Sequence, residues 1–373
     1  MTGARKLSKD ELKALAADVM RLSRLLTKER DGLPAAYLRD EGLRRAYVRY
    51  FLPANMYKIH IPLTELSLHP KNLLSKERLR ILDIGAGPGT SLLGVMEFFG
   101  RQAQKPSLAF TAVDEVPENL REAEALFQEY RNGHHINASL HIVKSTIERL
   151  EHHLEGGFDV IVLSNVLNEL FPGDTEKTAK RAEVLKNVLH RHLGPDGSCV
   201  IIEPALRETS REMAEVVCNL LAEGFTIYAP CPERAFRAVL ENPRDWYHED
   251  VPWDPPALIR EIDKLIGLRK DALKFSYVVL RKDGLSLTDV HGVDSCRIVS
   301  EPLVSKGKIE FYLCGPGGRL RVTRLDKDRT PQNASFEDLR RGDIVRFDGP
   351  IIEEKRLKVG KDTAVALLYT CSL

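Results

Sequence analysis

The stretch Leu79-Arg80-Ile81-Leu82-Asp83-Ile84-Gly85-Ala86-Gly87-Pro88-Gly89-Thr90 limits what this chain can fold into more than any other part of it. Ile81, Leu82 and Ile84 suit a parallel strand covered on both faces, where side chains need not alternate between core and water. Three alternating glycines follow, and a backbone without Cβ atoms can press close against a ligand. Residues 91–99 are then apolar at helical spacing, so the turn delivers the chain into a helix N-terminus. Strand, glycine turn and helix in that order predict a small-molecule pocket at the carboxyl end of a strand in an open α/β sheet.

The spacing selects among ligands. A dinucleotide fingerprint reads Gly-x-Gly-x-x-Gly, whereas these glycines stand at 85, 87 and 89 and Pro88 stiffens the middle, which disfavours hydride transfer. Residues 108–113 form a β-rich run ending on Asp114-Glu115, and Pro117-Glu118-Asn119-Leu120 opens the next helix. Asp83 at the first strand tip, the Gly-x-Gly-x-Gly turn and this later acidic pair together resemble the class I S-adenosylmethionine-dependent methyltransferases. The resemblance implies S-adenosyl-L-methionine as cofactor, with Asp83, Gly85, Ala86, Gly87, Gly89 and Thr90 at its methionine end. Asp114, with Glu115 beside it, would take the ribose hydroxyls. A turn that merely packs strand on helix explains either motif alone far better than both.

Further strands are expected over 139–144, 158–163, 199–203, 226–229 and 275–280, seven in all, with Gly194-Pro195-Asp196-Gly197 as a turn before the fifth. Carboxyl ends of strands three, four and five put Ser145, Thr146, Ser164, Asn165 and Glu203 within reach of the pocket. Ser145 or Thr146 would lie near the adenine. Ser164 serves equally well as N-cap of a helix over 166–170. Asn165 is the one polar residue nominated for catalysis. No Asn-Pro-Pro-Tyr signature follows strand four, and Cys199 begins its strand rather than ending it, so neither amino-directed nor carbon-5 base methylation is indicated.

Three regions are expected: a helical one over 1–75, the methyltransferase domain over 76–285, and a β-rich OB-like barrel of five strands over 290–373. Ser8-Lys9-Asp10-Glu11 reads as a capping box, Gly32-Leu33-Pro34 as a break, and a second helical stretch as ending near Leu52-Pro53. Net charge is +1, yet residues 1–50 carry twelve Lys/Arg against seven Asp/Glu and 297–373 carry fifteen against eleven. Arg44, Arg45 and Arg49 among tyrosines, and Arg319, Arg321 and Arg324 in the β region, are the candidates for meeting RNA phosphates. Solvated helix faces account for such modest excesses equally well. No signal peptide and no apolar run of 18 residues occur, so a cytoplasmic protein without a membrane span is expected, and a monomer is the expected state. The six cysteines include no Cys-x-x-Cys pair, and reduced thiols are the default.

A more specific resemblance covers most of the chain in order: Tyr37-Leu38-Arg39-Asp40, residues 45–54, the glycine turn, residues 163–170, Pro230-Cys231-Pro232, Asp245-Trp246-Tyr247-His248 and residues 275–281. These segments resemble the methyltransferase-like family associated with the mitochondrial small ribosomal subunit and its bacterial relatives. The resemblance implies a Rossmann-like methyltransferase fold and action on, or binding to, small-subunit ribosomal RNA in ribosome assembly and translation. A small-molecule or protein methyltransferase, and a non-catalytic RNA-binding assembly factor, are the alternatives. Family members hold an iron–sulfur cluster through four cysteines. Here Cys231 and Cys314 match the first and fourth, while Arg237 and Tyr247 stand near the middle two. Two thiolates cannot hold such a cluster, so none is expected, and aromatic packing around Phe236, Trp246 and Tyr247 would take its place. A mixed zinc site recruiting His248 or Cys296 is the other possibility.

Overall fold

The computed structural model describes residues 7–27, 29, 37–152, 154, 156–353 and 356–370, so Gly32-Leu33-Pro34 and Cys371 lie outside the described residues. α1 (Lys9–Thr27) begins on the expected box: the Ser8 amide donates to Glu11 Oε2 at 2.7 Å and the Glu11 amide to Ser8 Oγ at 3.2 Å. A nearly continuous rod follows, built of α2 (Glu41–Ala46), a π turn over Tyr47–Phe51, α3 (Leu52–Asn55), a 3-10 turn over Met56–Ile59 and α4 (His60–Ser67). The chain thus does not stop at Leu52-Pro53. Pro53 falls in the first turn of α3, where its missing N–H costs nothing, and the π turn absorbs the mismatch just before it.

Strands and helices then alternate: β1 (Arg78–Ile84), α5 (Thr90–Gly100), β2 (Ser107–Asp114), α6 (Pro117–His134), β3 (Ala138–Lys144), β4 (Phe158–Ser164), α7 (Lys177–His192), β5 (Leu193–Pro204), α8 (Arg207–Ala222), β6 (Thr226–Ala229), α9 (Glu233–Glu241), β7 (Glu249–Pro252), α10 (Ala257–Ile266) and β8 (Ala272–Arg281). The sheet order is β3-β2-β1-β4-β5-β8-β6, with β7 beside the first half of β8. β1 to β5 run parallel and β8 runs against its neighbours, so the seven expected strands are present in a Rossmann-like arrangement. The eighth, β7, is a short, charge-rich segment whose Glu249 pairs with Phe275. The expected turn at 194–197 is taken up inside β5: Phe158 pairs with Leu193 and Val160 with Ser198, so the extra residues bulge between two registers. Runs such as Val160–Leu163 and Cys199–Ile202 are buried without alternation, as a sheet covered on both faces requires.

After α11 (Leu287–His291) a second sheet contains β9 (Cys296–Ile298), β10 (Leu303–Ser305), β11 (Lys308–Gly315), β12 (Gly318–Leu325), β13 (Ile344–Asp348), β14 (Ile351–Glu353), β15 (Arg356–Val359) and β16 (Ala364–Tyr369). Its order is β14-β15-β12-β11-β9-β13-β16, with β10 beside β11: eight strands, three more than expected. Among the described residues the path has two ends, β14 and β16, and a 3-10 stretch over Pro331–Glu337 covers its core by wedging Phe336 between Phe311 and Phe347.

The two sheets and α4 meet at a buried ionic joint. Arg297 on β9 pairs with Glu65 on α4, donates to the Pro230 carbonyl at 2.9 Å and the Gly342 carbonyl at 3.1 Å, and lies 3.8 Å from Glu249. Tyr277 donates to Glu65 at 2.6 Å, and Tyr247 donates to Glu249. Burial pushes both glutamates up while the guanidinium pulls them back. The expected aromatic packing is therefore only part of the joint, and Trp246 stacks on His248 instead of entering it.

Candidate cofactor and acceptor cleft

A cleft of about 640 Å³ opens at the carboxyl edge of β1, β2, β4 and β5. Its floor is the glycine turn. At Gly85 (φ +65°) a Cβ would sit 2.4 Å from Val166 Cγ2, so any side chain would drive into the loop after β4. Gly89 (φ +87°) is the left-handed residue that swings the chain into α5. The turn is clamped from the next strand: the Gly87 amide donates to Asp114 Oδ2 at 2.9 Å, and Asp114 Oδ1 accepts from the Val116 amide at 2.8 Å and Asn119 Nδ2 at 3.2 Å. Burial nonetheless holds Asp114 above the usual carboxylate range.

Asp83 sits behind the turn, 1 % exposed, with neither carboxyl oxygen in a hydrogen bond. Its pKa is pushed up to about 8, chiefly by burial and then by Asp114, and the nearby Ser91 hydroxyl and Leu92 amide offset this only in part. An orphaned buried carboxyl beside a bare glycine cradle suits a compact cationic ligand group that approaches the backbone closely.

The expected residues separate into lining and support. Gly85, Ala86, Gly87, Thr90, Asp114, Glu115, Ser145, Thr146, Ser164 and Asn165 all line the cleft, whereas Asp83 and Gly89 stand behind it. Ser164 is not an N-cap: residues 167–169 make only a 3-10 turn whose cap is Val166 without a side-chain bond. Asn165 holds a left-handed backbone (φ +59°) and its amide donates to the Ile202 carbonyl at 2.8 Å. Sequence reasoning missed Tyr47, Asn55, Lys58, Asn168, Glu169 and Lys270, which line the opposite half. Tyr47 comes from the π turn, and its hydroxyl lies 3.2 Å from Thr90 Oγ1. Tyrosine and lysine interleaved at 47–58 was the available signal, and it pointed into the cleft rather than outward.

The proposed RNA-facing arginines differ in availability. Arg45 pairs with Asp18 at 2.9 Å at the surface, Arg49 is exposed, and Arg44 is held by the Leu38 carbonyl at 2.9 Å. Arg319 is bound to Asp245 and Arg321 to Glu310, both at 2.6 Å. Arg324 is a correction: it is buried against Glu337 and the Asn333 carbonyl, because β12 turns that face inward, so it cannot meet a phosphate. Cys231 and Cys314 are brought together, both buried, and burial with the neighbouring Cys314 pushes the Cys231 thiol up. Among the described residues no three His, Cys, Asp or Glu side chains gather as a metal set, and none of the helices is long and apolar enough to cross a membrane.

The family model for the mitochondrial small ribosomal subunit protein Rsm22 matches residues 44–346, about four fifths of the chain. The chain belongs to this family. No curated protein sequence matches it. Among solved structures it is similar to a protein of Listeria monocytogenes described as a class I S-adenosylmethionine-dependent methyltransferase, at 14 % identity over 74 % of this chain and 84 % of that one, with a TM-score of 0.39. It is also similar to the plantazolicin methyltransferase BamL, solved with a desmethyl-plantazolicin analogue and S-adenosylhomocysteine, at 14 % identity over 72 % and 97 % of the two chains and a TM-score of 0.37. A methyltransferase of Thiobacillus denitrificans in complex with S-adenosylhomocysteine aligns at 12 % identity over 60 % and 90 %, with a TM-score of 0.32. As an Rsm22-family member with a methyltransferase-like fold, the chain is tied to the small ribosomal subunit.

Proposed function

We propose that this Rsm22-family chain binds S-adenosylmethionine in the cleft and acts on or binds ribosomal RNA during small-subunit assembly. The observation that carries the cofactor reading is the pairing of an unsatisfied, buried Asp83 with the glycine turn clamped by Asp114. Asp83, behind the turn, would face the cationic methionine end through it, the 85–90 turn would cradle that end, and Asp114 with Glu115 would hold the ribose, Ser145 and Thr146 lying toward the adenine. S-adenosylmethionine, when bound, supplies an electrophilic methyl group. The chain's own part is to desolvate and aim: Asn165 stands at the tip of β4, between the two halves, where it can orient an acceptor. Arg45 and Arg49, with Arg44, Arg319 and Arg321 once freed from their partners, supply the outer phosphate contacts.

The cofactor reading is tested by calorimetry and thermal melting with S-adenosylhomocysteine. Binding should raise the melting midpoint by mass action, and Asp114→Ala should remove most of that rise while the unliganded fold persists. A wild-type protein indifferent to millimolar S-adenosylmethionine and S-adenosylhomocysteine would refute it. Crosslinking to small-subunit RNA, with and without Asp83→Ala, tests the partner.

A further inference from the structure

The cleft is asymmetric. Its cofactor half lies over β3, β2 and β1, and its other half lies over β4, β5 and the start of β8. Two lysines stand in this second half. Lys58, on the 3-10 turn before α4, is 8 % exposed with its ammonium 5.9 Å from the Phe275 ring centroid. Lys270, just before β8, holds its ammonium 4.7 Å from the Phe51 centroid and 5.0 Å from that of Tyr50.

Neither ammonium has a carboxylate within ion-pair distance among the described residues. The acids nearest them are occupied elsewhere. Asp263, which faces Lys270, accepts from Tyr50 Oη at 2.5 Å and from the Lys270 backbone amide at 2.9 Å. Glu203, which faces Lys58, accepts from Asn168 Nδ2 at 2.5 Å. Lys274 at the rim is already paired with Asp250 at 2.9 Å. Lys270 lies close enough to repel Lys58, and each ammonium faces an acid already shared with other donors, so the two are only partly compensated and a bound anion would relieve both. Burial and then repulsion by Lys270 lower Lys58 to about 7, and burial, partly offset by Asp263, lowers Lys270 to about 8, so an anion would draw protons onto them.

The shape of the anion follows from the neighbours. Compact ammonium groups bind phosphate as point charges, and Tyr47 and Phe171 bring aromatic surface, the kind bases stack on, to the same cleft. We propose that Lys58 and Lys270 form the phosphate subsite of the acceptor, gripping one backbone phosphate of single-stranded RNA beside the nucleotide offered to the cofactor half. This rests on the RNA reading above and gives it a location inside the cleft, separate from the arginines outside.

The test is made on the full chain with a single-stranded RNA decamer. Lys58→Gln with Lys270→Gln should weaken RNA binding about tenfold or more and flatten the log–log salt slope by about 0.7, the value for the one phosphate released, leaving the S-adenosylhomocysteine affinity unchanged. Unchanged RNA affinity and slope overturn the subsite while leaving RNA as partner. A measurement on the unaltered protein guards against misfolding of the variant: saturating RNA should shield both lysines from acylation, and lysines that stay reactive overturn the proposal. If wild-type protein binds no RNA, the RNA reading fails on its own. Inorganic pyrophosphate shielding the same two lysines would then keep the phosphate subsite and assign it to a small phosphate ester, and absence of shielding would remove it.

Discussion

Charge is buried in two places in this molecule, and the two are built in opposite ways. At the joint, Arg297 meets Glu65 and two backbone carbonyls, with Glu249 close by, and each glutamate has a tyrosine donor. At the cleft, Asp83 behind the turn has no hydrogen bond, and Lys58 and Lys270 in the lining have no ion pair among the described residues. A buried charge that is paired holds elements together, whereas one left unpaired is a capacity for ligand held at some cost in stability.

The contrast predicts opposite signs for removing charge. The largest effect is expected at the joint: Arg297→Met leaves Glu65 and Glu249 uncompensated and should cost about 3 to 5 kcal/mol in denaturant unfolding. A loss below about 1 kcal/mol would show that the joint is not a paired network in energetic terms. Asp83→Asn should act the other way. The folded-state pKa of Asp83, about 8, lies above the ordinary 3.8, so the stability it contributes is full below about pH 4 and is lost as pH rises toward 8. The variant should therefore melt several degrees higher than wild type at pH 8.5, with little difference at pH 4.5, while its S-adenosylhomocysteine affinity falls at least tenfold. Equal melting curves at both pH values would contradict the burial of an unsatisfied carboxyl. The smallest effect sharpens the comparison among arginines on β12. Arg321→Ala, at a half-exposed pair, should lower the RNA salt slope by about 0.7 with little change in stability. Arg324→Ala, at a buried one, should lower stability and leave the slope alone.

The half of the cleft floored by the glycine turn was legible because it is backbone: glycine spacing and a strand ending in Asp survive as a local pattern, and β1, α5 and β2 form where that pattern puts them. The acceptor half was not, since Lys58, Asn168 and Lys270 are far apart in sequence and converge only when β8 inserts beside β5. Arg324 was misread for a related reason. Alternation along a strand says which residues share a face, but the 3-10 stretch carrying Asn333 and Glu337 decides which face is covered. Likewise β7 escaped notice because a charged tetrapeptide becomes a strand only through the partner edge that β8 offers it.

Cys231, in the bend after β6, and Cys314, on β11 of the second sheet, face each other, both 2 % exposed. In the closed molecule an alkylating reagent reaches neither of them, so their labelling rate, read residue by residue apart from Cys199, Cys218, Cys296 and Cys371, counts how often this contact opens. That rate converts to an opening free energy, and any ligand that binds only the closed form must slow it in proportion to its occupancy. The pair is a built-in clock for the separation of the β-rich region from the methyltransferase sheet.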